Sequence, residues 1–283
     1  MACPQCGCRL SSLAVNTPSK APAPGKTEAH PQPKTFFSQL AGAFCYPLRG
    51  NGPWLLVSWA IFMLVMGLAK YFLRYAGLFG APGFALIAAF TVGFLCAYML
   101  KIILSSAAGE DSPPDWPRFA KWRDDLLHPF LLIAGTVMIF LLPAGAYWYA
   151  NISENRAGAP LFTGSPVIVI FLSATGLFLL PMGILGVAMY DSFQGLNPLR
   201  MLRSIARVPG SYTVALGFML LAGAAEVVLS SCLRGIPIVS TLVSGPVGLY
   251  FLIVEMRIIG LIYGAYAKRL DWFDEASDPR NKG

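Results

Sequence analysis

WLLVSWAIFMLVMGLAKYFL, residues 54–73, is the stretch on which the reading of the fold turns. It is twenty residues long and carries one charge, Lys70, near its end. Twenty predominantly apolar residues in a helix span the ~30 Å hydrocarbon layer of a bilayer. Five further stretches share this character, at 82–104, 129–150, 166–189, 212–233 and 244–266. The whole chain of 283 residues is 56% hydrophobic and 12% charged, against about a quarter charged in soluble domains. Such a chain has more apolar surface than its own core can bury. The expected class is therefore all-α, a polytopic integral membrane protein with six transmembrane helices, since helices satisfy their backbone groups within the segment. Gly176, Gly183 and Gly223 are expected to let neighbouring helices approach closely.

Basic residues give the orientation. Arg9, Lys20, Lys26, Lys34 and Arg49 precede the first span. Lys101, Arg118, Lys121 and Arg123 lie at the connection of spans two and three, and Arg200, Arg203 and Arg207 at that of spans four and five. Lys268, Arg269, Arg280 and Lys282 follow the last span. These sixteen stand against four on the other side, Lys70, Arg74, Arg156 and Arg234. The positive-inside rule then places both termini in the cytoplasm. The absence of a basic region leading into a short apolar run argues against a signal peptide. The net charge of +7 is thus read as membrane topology, and no nucleic acid is expected as a partner.

The connection GEDSPPDWPRFAKWRDD, residues 109–125, falls on the cytoplasmic side. Asp115 is read as a helix N-cap, with Trp116, Phe119, Trp122 and Leu126 on one face of an interfacial amphipathic helix and the tryptophans at headgroup depth. Its carboxylates are read as a solvated, partly ion-paired face. A hard-metal or catalytic site is the alternative, but adjacent residues on a helix do not share a face and no glycine-rich ligand loop is present. Two other segments have the same organisation. Residues 35–52 put Phe36, Phe37, Leu40 and Phe44 on one side. Residues 197–212 offer Asn197 as N-cap, Pro198 in the first turn, an apolar stripe of Leu199, Leu202 and Ile205, and an adjoining face of Arg200, Arg203 and Arg207. That arginine face is expected among anionic lipid headgroups, with a phosphate-bearing ligand as the alternative. The chain reads as three units of interfacial helix plus membrane hairpin, occupying residues 35–268.

YPLRGNG (46–52), PPDWPRFAKWRDDLLHP (113–129) and LNPLRMLRSIARVPGSY (196–212), with apolar pairs between them, resemble an uncharacterised family of bacterial polytopic membrane proteins, a domain of unknown function with Yip-type organisation. The resemblance implies an all-helical protein of the bacterial inner membrane. It brings no activity and no catalytic residues.

The first ten residues hold Cys3-Pro4-Gln5-Cys6-Gly7, which resembles half of a bacterial zinc ribbon: two thiolates two residues apart can grip one Zn²⁺. Cys8 is a candidate third ligand and His30 a fourth, at spacings that match no standard finger; two chains can also pool their knuckles. A degenerate remnant holding no metal is the other reading. Residues 11–34, rich in Pro and Ala, read as a flexible linker, and 269–283 as a short polar tail. Cys45, Cys96 and Cys232 read as small packing residues.

Three ionisable residues fall well inside spans: Glu226, Glu255 and Arg257. Each costs roughly 2.5–3.5 kcal/mol at a bilayer centre. Arg257 is expected to reach Glu226 across neighbouring antiparallel helices. Two function classes follow. One is a non-enzymatic scaffold or regulatory protein, the trio a structural lock, with a cytoplasmic tail that recruits a protein partner, a second copy or zinc. The other is a transporter or channel using the trio for a proton or small cation, although no pair of broken helices in inverted halves is visible. HExxH, GxSxG and P-loop patterns are absent, so an enzyme is not expected.

Overall fold

The computed structural model describes residues 36–73, 80–117, 123–156, 166–233 and 237–273, which belong to one unit, Thr35–Gly283. Most of those residues are helical, and none of them is in a strand. Cys3, Cys6, Cys8, His30, the linker, Phe119, Trp122 and residues 274–283 lie outside the described residues.

A short helix α1 (Phe36–Gly42) runs into a 3₁₀ turn, Ala43–Leu48. Then follow α2 (Gly52–Leu73), α3 (Gly80–Ala107), α4 (His128–Arg156) and α5 (Pro166–Tyr190). A short amphipathic α6 (Pro198–Arg207) precedes α7 (Pro209–Leu233) and α8 (Pro237–Leu270). Six of these helices are long and apolar enough to cross a membrane: α2, α3, α4, α5, α7 and α8. Outward-facing Ile61, Val65, Leu68 and Phe72 form a three- and four-residue stripe along α2, all more than half exposed. Such a stripe has lipid as its natural solvent.

The centre post is α8. Within its apolar window 67% of the residues are buried, against 11% in α7 and 12% in α2. It packs against α2, α3 and α7. The approach to α3 is the tightest. A Cβ on Gly260 would lie 2.4 Å from Ser106 Cβ and 2.6 Å from the Ile103 carbonyl, and one on Gly264 3.2 Å from the Ala107 carbonyl. Glycines four residues apart on α8 thus admit the backbone of α3, a small-xxx-small contact. On α5, as expected, Gly176 admits the α4 backbone at Phe140 and Gly183 admits the Phe140 and Thr136 side chains.

Helix α8 is broken at Tyr266, whose φ of −123° and ψ of 15° are not helical, so Ala267–Leu270 turn off the axis of the rest. The break falls at the end of the span read from the sequence, and a cap packs against α8. The cap is made of α1 and its 3₁₀ turn, the 109–117 connection, α6 and residues 271–273.

Several expectations change in the cap. The connection from Asp111 to Pro117 is not helical, and the described residues after it form a π-helical turn, Arg123–Leu127. Asp115 therefore caps no helix there. Its carbonyl accepts from Lys101 Nζ at 2.6 Å and its Oδ1 from Asn51 Nδ2 at 3.3 Å. Pro113-Pro114 and Pro117 favour extended backbone. Trp116 turns away from the lipid interface into a groove, its ring 4.7 Å from Tyr98, 5.0 Å from Phe94 and 6.0 Å from Trp59, while its Nε1 donates to Ser58 Oγ at 2.9 Å. Burying an indole with its N–H satisfied outweighs a headgroup position.

In α6 the cap is as read: Asn197 Oδ1 accepts from the amides of Leu199 and Arg200 at 3.1 and 3.3 Å, with Pro198 in the first turn. The protein-facing side is Met201, Ser204 and Ile205, whereas Leu199 and Leu202 point outward. The start of the polar tail is likewise docked. Trp272 Nε1 donates to Ser204 Oγ at 2.8 Å, Tyr190 Oη donates to the Trp272 carbonyl at 3.1 Å, and the Phe273 and Tyr190 rings meet tilted with centroids 4.6 Å apart.

Candidate functional site

The three intramembrane charges do not form one cluster. Residues 255 and 257 are two apart on α8, so their side chains leave the helix on nearly opposite faces. Glu255 faces α7, and Arg257 faces α3 and the cap. The expected reach of Arg257 to Glu226 does not occur.

Arg257 is 4% exposed, and its partners arrive from two distant stretches of chain. Helix α3 stops at Gly109, whose φ of +87° is open only to a residue without Cβ strain. The stop is a Schellman motif: the Gly109 amide donates to the Ser106 carbonyl at 3.1 Å and the Glu110 amide to the Ser105 carbonyl at 3.0 Å. This reversal turns the Glu110 carbonyl toward α8, where Arg257 Nη1 donates to it. Arg257 Nη2 lies 3.5 Å from Asp111 Oδ1. The third partner is Tyr46 in the 3₁₀ turn, whose ring centroid lies 4.3 Å from the guanidinium carbon. Tyr46 is itself 1% exposed and its Oη donates to the Ser112 carbonyl at 3.0 Å. Tyr250 on α8 adds a bond from its Oη to the Phe44 carbonyl at 2.7 Å. One buried cation thereby ties the entry segment, the 109–112 connection and the central helix together. Planarity suits it to this task, because a guanidinium donates in its plane while offering its face to a ring.

Glu226 and Glu255 form a second arrangement. A Cβ on Gly223 of α7 would lie 3.6 Å from Glu255 Oε1, and one on Gly248 of α8 would lie 3.3 Å from Glu226 Oε1. Each carboxylate therefore crosses to lie over a glycine of the opposite helix. Both residues are partly buried, and among the described residues neither makes a hydrogen bond or ion pair. Beside them Ala222 is fully buried. Two acceptor-only groups at one helix interface can hold a proton or a small cation between them.

The arginines of the 200s divide. Arg200 lies over the Tyr190 ring at 5.0 Å. Arg203 is exposed. Arg207 donates from Nη1 to the Leu270 and Arg269 carbonyls at 2.6 and 3.2 Å and lies 3.9 Å from Asp271, so it caps the C-terminus of α8. No group of three or more metal-ligating side chains occurs among the described residues. Sequence reading missed Arg257's partners, of which Glu110 lies 147 residues upstream and Tyr46 farther still, and the Gly260/Gly264 contact, although its GxxxG spacing is visible in the letters.

This architecture defines a multi-pass helical membrane protein. Residues 81–234, more than half of the chain, match the family described as protein of unknown function (DUF4013), and the chain belongs to that family. The matched region contains the 109–117 connection, α6 and Glu226, whereas Glu255 and Arg257 lie beyond it. No curated protein and no solved structure matches the chain.

Proposed function

We propose that this protein is a non-enzymatic membrane-organising scaffold of the bacterial cytoplasmic membrane, with both termini and the cap in the cytoplasm. The observation that carries the reading is the Arg257 clamp. A buried cation that joins the entry segment, the 109–112 connection and α8 makes the cap a rigid surface, which a platform for partners needs. The sixteen-to-four basic bias supports a cytoplasmic cap. Outward Leu199 and Leu202 beside Arg200 and Arg203 support α6 as the element that meets anionic lipid headgroups. Cys3, Cys6 and Cys8 then begin a cytoplasmic arm that recruits a partner, a second copy or zinc.

A photo-crosslinking residue at Leu48, exposed on the 3₁₀ turn of the cap, tests the platform in living cells. One discrete protein adduct, lost in a variant with a loosened cap, is the expected result. Failure to form any protein adduct, with ion flux in proteoliposomes that stops on Glu226→Gln, would replace the scaffold by the second reading. That reading, a proton or cation pathway, is favoured by the crossed and unpartnered glutamates.

A further inference from the structure

We propose that residues 267–273 form a strap that competes with anionic lipid headgroups for Arg207, so that anionic lipid loosens the tie between α8 and α6. The inference rests on the reading of α6 as the helix that meets headgroups. The strap begins where α8 breaks, at Tyr266, and ends on the aromatic pair Trp272-Phe273. Side chains of α5 and α6 hold it down. Arg207 Nη1 donates to the Leu270 and Arg269 carbonyls at 2.6 and 3.2 Å, and its Nη2 lies 3.9 Å from Asp271. Trp272 Nε1 donates to Ser204 Oγ, and the Trp272 carbonyl accepts from Tyr190 Oη. The Trp272 ring lies 5.9 Å from that of Tyr190 and 5.8 Å from that of Tyr263.

The backbone marks this joint as one that can open. The break at Tyr266 separates the strap from the rest of α8. Among the described residues, two that are not glycine have left-handed backbone, Asp191 at φ +49° and Asp271 at φ +55°. They follow Tyr190 and precede Trp272, so they bracket the contact between those two. Such backbone persists where its surroundings hold it. Arg207 is the part of that hold which a lipid can take. It is exposed, and it shares a face of α6 with Arg200 and Arg203, since the three follow at three- and four-residue spacing. Leu199 and Leu202 beside them point outward. A phosphate is a stronger acceptor for a guanidinium than a peptide carbonyl, because both partners are then ionised. Docked, the strap keeps Arg207 on α8; released, it adds one arginine to the face that meets the headgroups. A ligand shifts an equilibrium by its differential affinity for the two states, and here that difference is Arg207. By reciprocity, docking of the strap weakens headgroup binding by the same factor.

The test is hydrogen exchange, read by mass spectrometry on the full chain in nanodiscs of phosphatidylcholine, with and without phosphatidylglycerol. Peptides covering 267–273 should exchange about fivefold or more faster in the anionic discs, while 43–52, elsewhere in the cap, should not change. An anionic surface lowers the local pH and slows intrinsic exchange, so acceleration reports the strap. Arg207→Gln should give fast exchange at 267–273 in both discs, with no response to lipid. Tyr190→Phe removes the bond to the Trp272 carbonyl and keeps Arg207. It should raise exchange about fivefold in phosphatidylcholine and still respond to phosphatidylglycerol. Inorganic phosphate added to the phosphatidylcholine discs should change nothing; a response equal to that of the lipid would assign the anion to solution and overturn the proposal. The reading of α6 is tested apart, with the native cysteines removed, by quenching of a fluorophore on Leu199→Cys by brominated acyl chains. Quenching together with equal exchange of 267–273 in the two discs overturns the strap alone. Absence of quenching overturns the reading of α6, and the strap with it.

Discussion

Replacing Arg257 by methionine should loosen the cap and leave the bundle standing. The guanidinium donates to the Glu110 carbonyl, a charge-assisted bond worth about 1.5–3 kcal/mol. Its position 4.3 Å from the Tyr46 ring adds about 0.5–2 kcal/mol. The Asp111 pair adds about 0–1 kcal/mol, because Asp111 is 59% exposed and stays hydrated without its partner. Against this, methionine refills most of the volume and removes the cost of burying a charge. The net loss is about 2–3 kcal/mol, or roughly 30- to 150-fold in the local opening equilibrium. Hydrogen exchange read by mass spectrometry in nanodiscs measures it directly. Peptides covering 43–52 and 109–117 should exchange faster by that factor, while peptides in the outer half of α7 should not change. Glu226→Gln is the control. Unchanged exchange of the cap in Arg257→Met would refute the clamp, and a cap loosened by Glu226→Gln would restore the Arg257–Glu226 pairing.

Three further outcomes follow from the packing. Asn197→Ala removes the side chain that caps α6 and should cost about 1 kcal/mol, seen as faster exchange at residues 198–202. Gly260→Ala pushes a methyl into the α3 backbone and should cost about 1–3 kcal/mol or more, whereas Gly217→Ala meets nothing within 4 Å and should be neutral or stabilise by up to about 1 kcal/mol; the pair is compared by thermal unfolding in one detergent. Arg207→Ala frees the last carbonyls of α8 and should cost about 1–2 kcal/mol locally, with faster exchange confined to residues 267–273.

What is legible in the letters follows from the range of each interaction. Six spans, the α6 cap at Asn197-Pro198 and the approaches at Gly176 and Gly183 rest on local composition and spacing. Trp116 was read as an interfacial anchor because its apolar neighbours in sequence share a helical period. Its real neighbours, Trp59 and Phe94, come from α2 and α3 and carry no local signature. The charged trio failed for a related reason. Depth alone paired Arg257 with Glu226, but depth says nothing about which face of α8 a residue occupies. The 200° between positions 255 and 257, implied by 3.6 residues per turn, already separates the arginine from the α7 face. Combining that angle with the helix stop at Gly109 points to the 110–112 connection as the missing partner.

Thiol accessibility beside the glutamates tests the scaffold account most directly. With the native cysteines removed, Ala222→Cys and Ser230→Cys are introduced separately and probed with a membrane-impermeant reagent in intact and inverted vesicles. Ala222 is fully buried, so the account predicts no labelling there from either side, and labelling of Ser230→Cys at most from the outer face. Labelling of Ala222→Cys from the cytoplasmic side would place water beside Glu226 and Glu255 and contradict a scaffold in favour of a conducting path.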